Sequence, residues 1–344
     1  MPFLLILFTL FFCWLFCGRY GVFGSKVDWI SQHSVFPDYF RQQFYDTGDF
    51  FPEFAAGIGG GQNIYNFAYY GLYSPVFLLS YLLPFVKMSD YLIAASFTCL
   101  ASAVVLLYFW LIKRGFSQTV SFLTALLFLL SAPMIFQSYN QIMFVNYMPF
   151  LCMALWGVDS FLEKGKPLLY LSGVFLMIMT SFYFSIGGIL VLILYGLHRY
   201  FMLQDSLGKK IRFLDFLRDG IRFLGPILTV LIAGLAWKRR GERILIWSTI
   251  LILTIPFFSY LLNGGLYIRD KVLIPFLPVL CYLIACYMQK QQEEARPLWR
   301  GLLPYILTII LIFTGNTESM PSFSRFLLAL DVVIMAGCYL LFYE

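Results

Sequence analysis

Apolar residues run through this chain in long blocks separated by short polar breaks, with one exception. The first block, Pro2–Cys17, is followed by a long polar stretch, Gly18–Tyr73. Further apolar blocks cover Tyr91–Ile112, Thr119–Phe136, Phe144–Leu162, Pro167–Tyr183, Phe184–Phe201, Phe223–Trp237, Arg243–Leu262, Val272–Met288, Gly301–Gly315 and Phe326–Tyr343. Each comes near the ~20 apolar residues that a helix needs to cross a ~30 Å hydrocarbon core. Pro167–Phe201 is too long for one span and predicts a hairpin with a tight break near Ser181–Gly188. Ser74–Val86, bracketed by Pro75 and Pro84, is too short to cross. It predicts a helix lying in the interface, with Tyr69, Tyr70, Tyr73 and Tyr81 at headgroup level.

The pattern therefore predicts an all-α polytopic integral membrane protein, a bundle of about 10–11 spans with a long first extracytoplasmic loop containing interfacial helices. It reads as a single transmembrane domain over residues 1–344, with the first span at 1–17 and the extracytoplasmic loop at 18–90. The interfacial helix within that loop is expected at 74–86, a five-span block at 91–201 and the C-terminal spans at 202–344. Pro2–Cys17 lacks a basic leading region and a small-residue cleavage pattern, so it reads as a retained span rather than a cleaved signal.

Composition excludes a soluble alternative. Of 344 residues, 60% are hydrophobic and 12% charged, where an average soluble domain has about 25% charged. Such a chain has too little polar surface to stay in solution. The net charge is +6, and its placement orients the chain. Lys113-Arg114, Lys164 with Lys166, His198-Arg199, Lys209-Lys210 and Lys238-Arg239-Arg240 lie just beyond apolar blocks, which assigns those ends to the cytoplasm. The first loop, Gln137–Met143, Asn263–Lys271 and Asn316–Arg325 then face outward. Phe223–Trp237 breaks the rule, because both its ends are basic. The charges are scattered over short loops, so a nucleic-acid partner is not expected. All seven cysteines fall in apolar blocks, which excludes an extracellular disulfide framework.

The candidate chemistry sits in the outward loops. Asp28 follows the first span closely enough to lie near the outer membrane face. A carboxylate there can act as a general base toward an acceptor hydroxyl. Gln32, four residues on, shares a face with it if the segment is helical. The plainer reading of Asp28 is a solvated loop charge beside Lys26. Asp46-Thr47-Gly48-Asp49 with Glu53 offers hard oxygens for a divalent cation, but the spacing is not that of an EF-hand and a polar surface turn explains it as well. His33 lacks a second His or Cys nearby, so no metal site is assigned and no cofactor is called for beyond that open cation.

The Gly57-Ile58-Gly59-Gly60-Gly61 run lacks the setting of a nucleotide loop and reads as backbone compliance. Asn263-Gly264-Gly265-Leu266-Tyr267-Ile268-Arg269-Asp270-Lys271 carries positive charge on the outward side. Either Arg269 binds a lipid phosphate, or it pairs with Asp270 or snorkels. Among the acids near apolar blocks, Asp159 reads as a structural pair with Lys164, and Asp331 has no nameable partner.

Several of these elements together resemble the bacterial YfhO-like membrane protein family: Asp28 with Gln32, Gly57-Ile58-Gly59, Asn63, Tyr69-Tyr70 and Ser74-Pro75. Asn263-Gly264 followed by Arg269, and Tyr183-Phe184 in the hairpin break, are similar to that family's later segments. The resemblance implies a GT-C-like helical bundle and a glycosyltransferase. Such an enzyme moves sugar from a polyprenyl-phosphate carrier to a cell-envelope polymer, such as teichoic acid, on the outer face of the bacterial plasma membrane. It implies Asp28 as the catalytic carboxylate and Gln32, Asn63, Tyr69, Tyr70, Asn263 and Arg269 as substrate-binding residues. Family members are commonly longer, so the resemblance is to a shortened member. Two other readings stand beside it: a polytopic transporter or lipid flippase, and a catalytically inactive membrane scaffold. Paired, Gly/Pro-broken spans with midplane charges would mark a transporter, and no such pairing is found.

Overall fold

The computed structural model describes residues 1–20, 24–25, 28–140, 142–206, 241–254, 256–262 and 274–294, with single positions at 306, 329, 330, 332, 333, 336, 337 and 340. Among these, helices account for nearly all regular structure. The helices are α1 (Pro2–Tyr20), α2 (Val35–Thr47), α3 (Pro75–Leu78), α4 (Met88–Lys113), α5 (Gln118–Leu130), α6 (Ala132–Asn140) and α7 (Ile142–Asn146). They continue with α8 (Met148–Lys164), α9 (Leu168–Thr180), α10 (Phe182–Ser206), α11 (Gly241–Thr254), α12 (Pro256–Leu262) and α13 (Leu277–Glu294). Two dipeptide strands, β1 (Phe54–Ala55) and β2 (Gln62–Asn63), pair antiparallel, with Phe54 opposite Asn63 and Ala55 opposite Gln62. The expected segments Phe223–Trp237, Asn263–Lys271 and Asn316–Arg325, with Asn263, Arg269 and Asp331, lie outside the described residues. By contacts the chain falls into two compact units, Met1–Leu283 and Ile284–Glu344. The helix bundle and the polar stretch after α1 both belong to the first unit.

Two helices, Met88–Lys113 and Tyr183–Leu203, are long and apolar enough to cross a bilayer by length and composition. A third candidate is the bent pair Gln118–Leu130 and Pro133–Asn140, which turns by 48° at its break. Exposed faces of the shorter helices are apolar too. On α9, Leu168, Leu171, Phe175 and Ile178 form an exposed apolar stripe, and on α1 Phe3, Phe11 and Trp14 do the same. Such stripes are costly in water and cost nothing against lipid tails.

The Pro167–Phe201 hairpin breaks at Ser181, whose extended backbone (φ −158°, ψ 98°) ends α9. Ser181 Oγ accepts from the Phe184 N–H, and its carbonyl receives the Ser185 N–H, so α10 starts at once. Within the expected span Thr119–Phe136 the helix breaks. α5 stops at Leu130 with Ser131 extended (ψ 138°), and α6 restarts with Pro133 in its first turn, where a missing N–H does no harm. The helix then runs through Gln137–Asn140, and α7 follows, so Gln137–Met143 is largely helical rather than a plain outward break.

Helices α8 and α9 meet backbone to backbone. A Cβ on Gly157 would lie 2.4 Å from Tyr170 Cα, and one on Gly173 would lie 2.7 Å from the Ala154 nitrogen. Small residues facing each other are how helices associate where lipid offers no hydrophobic drive.

At the end of the bundle that carries Lys113 and Arg114, a buried ionic knot ties α4, α8 and α10. Asp159 is 2% exposed. Trp110 Nε1 donates to its Oδ2 at 2.8 Å, the Tyr195 hydroxyl donates to the same oxygen at 2.8 Å, and Arg199 Nε donates to Oδ1. Arg114 stands 3.6 Å from Oδ1, and both arginines also reach Glu163. Asp159 is thus a structural acid as expected, but its partners are Arg199 and Arg114 rather than Lys164. Lys164 is five residues along the same helix and faces elsewhere. His198 Nε2 lies 3.1 Å from the Tyr282 hydroxyl, and the Tyr282 ring stacks on Trp110 at 5.5 Å.

Two outcomes are expected. Removing one partner of a buried pair leaves an uncompensated charge, so Asp159→Ala should destabilise the detergent-solubilised protein by about 3–5 kcal/mol, read as a large drop in thermal midpoint. Second, in a cysteine-free background, a membrane-impermeant maleimide added to intact cells should label a Cys placed at exposed Ser31 and not one at exposed Gln118. The reverse pattern would invert the orientation.

Candidate functional site

The polar stretch after α1 folds as a cap on the other end of the bundle. Its own core is Phe40, Ala55, Ile64, Phe67 and Leu72. Around that core, α2, the hairpin and a 3₁₀ helix at Ile64–Tyr70 pack through rings: Phe36 lies 4.9 Å from Phe67 and 4.5 Å from Tyr70. The glycine run makes the hairpin turn. Gly59, Gly60 and Gly61 have φ of 58°, 81° and 97°, which only glycine adopts freely. A Cβ on Gly61 would sit 2.7 Å from the Phe54 ring. The acidic cluster is the end of α2: Gly48 is left-handed (φ 74°), and Asp49 Oδ1 accepts the Phe51 N–H at 2.9 Å. Asp46, Asp49 and Glu53 are exposed. Among the described residues, no three His, Cys, Asp or Glu side chains converge in a way that would hold a metal ion.

Asp28 sits at the start of a one-turn π-helix, Trp29–His33, that leads into α2. Three features fix that turn. The Ser25 N–H donates to the Tyr139 carbonyl on α6 at 2.9 Å, and the Ser34 N–H closes the turn on the Trp29 carbonyl at 2.9 Å. Gly24, at φ 109°, lets the buried Trp29 indole lie against its backbone, where a Cβ would stand 2.4 Å from the ring. The carboxylate is half-buried.

Asp28 and Tyr70 are neighbours electrostatically. Burial, and after it the negative charge of Asp28, pushes the Tyr70 hydroxyl above its ordinary pKa. His33, 1% exposed, has its ring 5.9 Å from Tyr70. Tyr69 packs edge-on against Tyr70 at 5.2 Å and against Tyr183 at 5.6 Å. Tyr183 opens α10, directly after the Ser181 break. The Tyr69–Tyr70 pair and the hairpin break are therefore parts of one ring cluster at the mouth of the bundle, and the Asp28 charge reaches it at Tyr70.

The other predicted residues fare differently. Gln32 lies within the π turn, half-buried. Asn63 is exposed, and its side chain accepts the Tyr65 N–H at 2.9 Å, capping the 3₁₀ helix. That structural task stands apart from the ring cluster. Asn263 and Arg269 are outside the described residues. Sequence reasoning missed Asn146 and Tyr147, the polar pair at the α7–α8 junction. They are 1% and 0% exposed, and Tyr147 stacks on Phe184 at 5.7 Å, one residue from Tyr183. Their signal was an Asn-Tyr pair just before a helix-starting Pro149, inside a block read only as apolar.

Comparison with known proteins gives one family. Residues 1–236 match the family described as bacterial membrane protein YfhO, and the chain belongs to it. It is thus an all-helical integral membrane protein. No curated protein and no solved structure matches.

If the Trp29 seat on Gly24 holds the π turn, Gly24→Ala must displace the indole. We expect a loss of about 1–3 kcal/mol from overpacking, with a red-shifted emission that disappears when Trp29 is also replaced by Phe. An unchanged spectrum and midpoint would show that Gly24 does not fix the Asp28 turn.

Proposed function

We propose that this protein is a membrane glycosyltransferase that moves a sugar from a polyprenyl-phosphate carrier to a cell-envelope polymer such as teichoic acid. Transfer takes place on the extracytoplasmic face, with Asp28 as general base. Family membership supports a membrane transferase. The observation that carries the finer reading is the position of Asp28: a half-buried carboxylate on a braced turn, beside Tyr70, at the mouth of the helical bundle.

The chemistry asks little more than positioning. The acceptor hydroxyl gives its proton to the Asp28 carboxylate as its oxygen attacks the anomeric carbon. The bond from that carbon to the phosphate oxygen breaks, and the polyprenyl phosphate leaves with the electron pair. Phosphate is a good leaving group, so the protein's main contribution is to orient and deprotonate the nucleophile. Tyr70 stays protonated at neutral pH and offers a hydroxyl beside the carboxylate, while Tyr69 and Tyr183 supply flat faces on which a sugar ring can lie. Arg269 is the proposed ligand of the donor phosphate, a role suited to a guanidinium fork, and Asn263 a further substrate-binding residue.

Asp28→Asn is nearly isosteric and should preserve folding while lowering sugar transfer by about 10²–10⁴-fold, the usual range for general-base catalysis. The assay is transfer to cell-wall polymer in cells lacking the native gene product, with expression checked for each variant. Asp46→Asn and Asp49→Asn should stay near the unmodified rate, and Arg269→Ala should weaken donor binding. Normal transfer by well-expressed Asp28→Asn would remove Asp28 from the mechanism. Inactivity of the unmodified chain would favour the scaffold reading.

A further inference from the structure

Helix α2 has two faces with different duties. Phe36 and Phe40 point into the ring core that borders Tyr70. Ser34, Asp38, Arg41 and Gln42 lie about half a turn away on the helix. There they line an open cleft of about 580 Å³, whose other wall is the segment Pro84–Ser89 leading into α4. None of its lining residues belongs to the ring cluster of Tyr69, Tyr70 and Tyr183.

Its central group is Arg41, whose side chain is only 4% exposed although it lies in a loop outside the apolar blocks. Nη1 donates to the Val86 carbonyl at 2.9 Å, and Nη2 donates to Asp38 Oδ1 at 3.3 Å. Nε is buried and has no hydrogen-bond partner among the described residues. A second cation, Lys87, stands at the residue before α4 and is exposed on the cleft wall, with no ion pair among the described residues. The first N–H groups of α4 at Met88 and Ser89 border the same space and have no acceptor within the helix. Against these donors stands one lining carboxylate, Asp38, which is half-exposed and tied to Arg41. Asp90, in the first turn of α4, does not line the cleft.

The cleft also has an apolar side chain on its wall, Phe85, 82% exposed, and Leu79 and Leu82 just before it in the chain are 59% and 75% exposed. They precede a helix long enough to span a bilayer, so they belong at the level where acyl chains begin. A cationic cleft next to exposed apolar side chains at that depth matches an amphiphile with a negative head. We infer that the cleft binds the phosphate of an anionic glycerophospholipid, with Arg41, Lys87 and the α4 amides on the phosphate oxygens. Gln42 and Ser34 border the space left for the rest of the headgroup. This site does not depend on the transferase reading, since it shares no residue with the proposed transfer site. The bound headgroup would hold the Pro84–Ser89 segment to α2 and so seat the outer cap at the membrane surface.

The test uses the full chain, purified in detergent, with lipid retention followed by native mass spectrometry. Phosphatidylglycerol should be retained at least about tenfold better than diacylglycerol of the same chains, the ratio equivalent to one charge-assisted contact. Lys87→Glu, at an exposed position that the fold does not need, should abolish that preference. Arg41→Gln should do the same, and Asp28→Asn should leave it intact. Inorganic phosphate at millimolar concentration should not displace the lipid. Equal retention of diacylglycerol, an unchanged preference in Lys87→Glu, or full displacement by inorganic phosphate would each overturn the proposal. So would a stronger preference for polyprenyl phosphate, which would reassign the cleft to the sugar carrier.

Discussion

A buried carboxylate that three helices must share is the constraint on which the rest of this bundle depends. Asp159 accepts from Trp110 on α4 and from Tyr195 and Arg199 on α10, while itself belonging to α8. Taking an ionised acid out of water costs several kcal/mol, and the cost is recovered only when every acceptor position is filled. That requirement fixes the relative rotation and depth of all three helices at one end. At the other end no comparable ionic knot ties them among the described residues. There the helices are broken, at Ser131, Tyr147 and Ser181, and the outer cap packs on the breaks. In a bundle pinned at one end and open at the other, the pinned end supplies rigidity while the open end stays shaped by side chains.

The cap is joined to that open end by rings and a few backbone bonds rather than by charge. Tyr69 reaches Tyr183, and the Ser25 N–H reaches the Tyr139 carbonyl. The same aromatic packing surrounds Tyr70, whose ring neighbours are Phe36, Phe67, Tyr69 and His33. Such a cluster offers apolar faces beside a few fixed polar atoms, the mixture that ligand pockets commonly present.

What could be read from the sequence was whatever depends on local pattern. The hairpin in Pro167–Phe201 followed from length alone, since no span needs so many residues, and the break fell at Ser181. The glycine run was read as backbone compliance, and three consecutive positive φ values are that compliance. The bend at Ser131 was missed although Pro133 signalled it, because apolarity across Thr119–Phe136 outweighed one proline. The partners of Asp159 were not legible. Lys164 suggested itself by nearness in the chain, but five residues along a helix is not a facing position. The true partners, at positions 114 and 199, come together only in the folded bundle.

Arg41 shows how a sound rule was applied too narrowly. Positive charge on the outward side of a membrane protein asks for a reason, and that argument singled out Arg269 on sequence grounds. Arg41 and Lys87 lie in the first loop, which the same charge pattern places outward, and the argument applies to them as well. What the sequence did not carry was burial. A lone arginine in a polar stretch is normally solvated. This one is enclosed because Phe36 and Phe40 pull the opposite face of α2 into the ring core, which turns Arg41 toward the Val86 carbonyl. The apolar pattern of α2 thus decides where its charge goes, and it sends the ring core and Arg41 to opposite sides of one short helix.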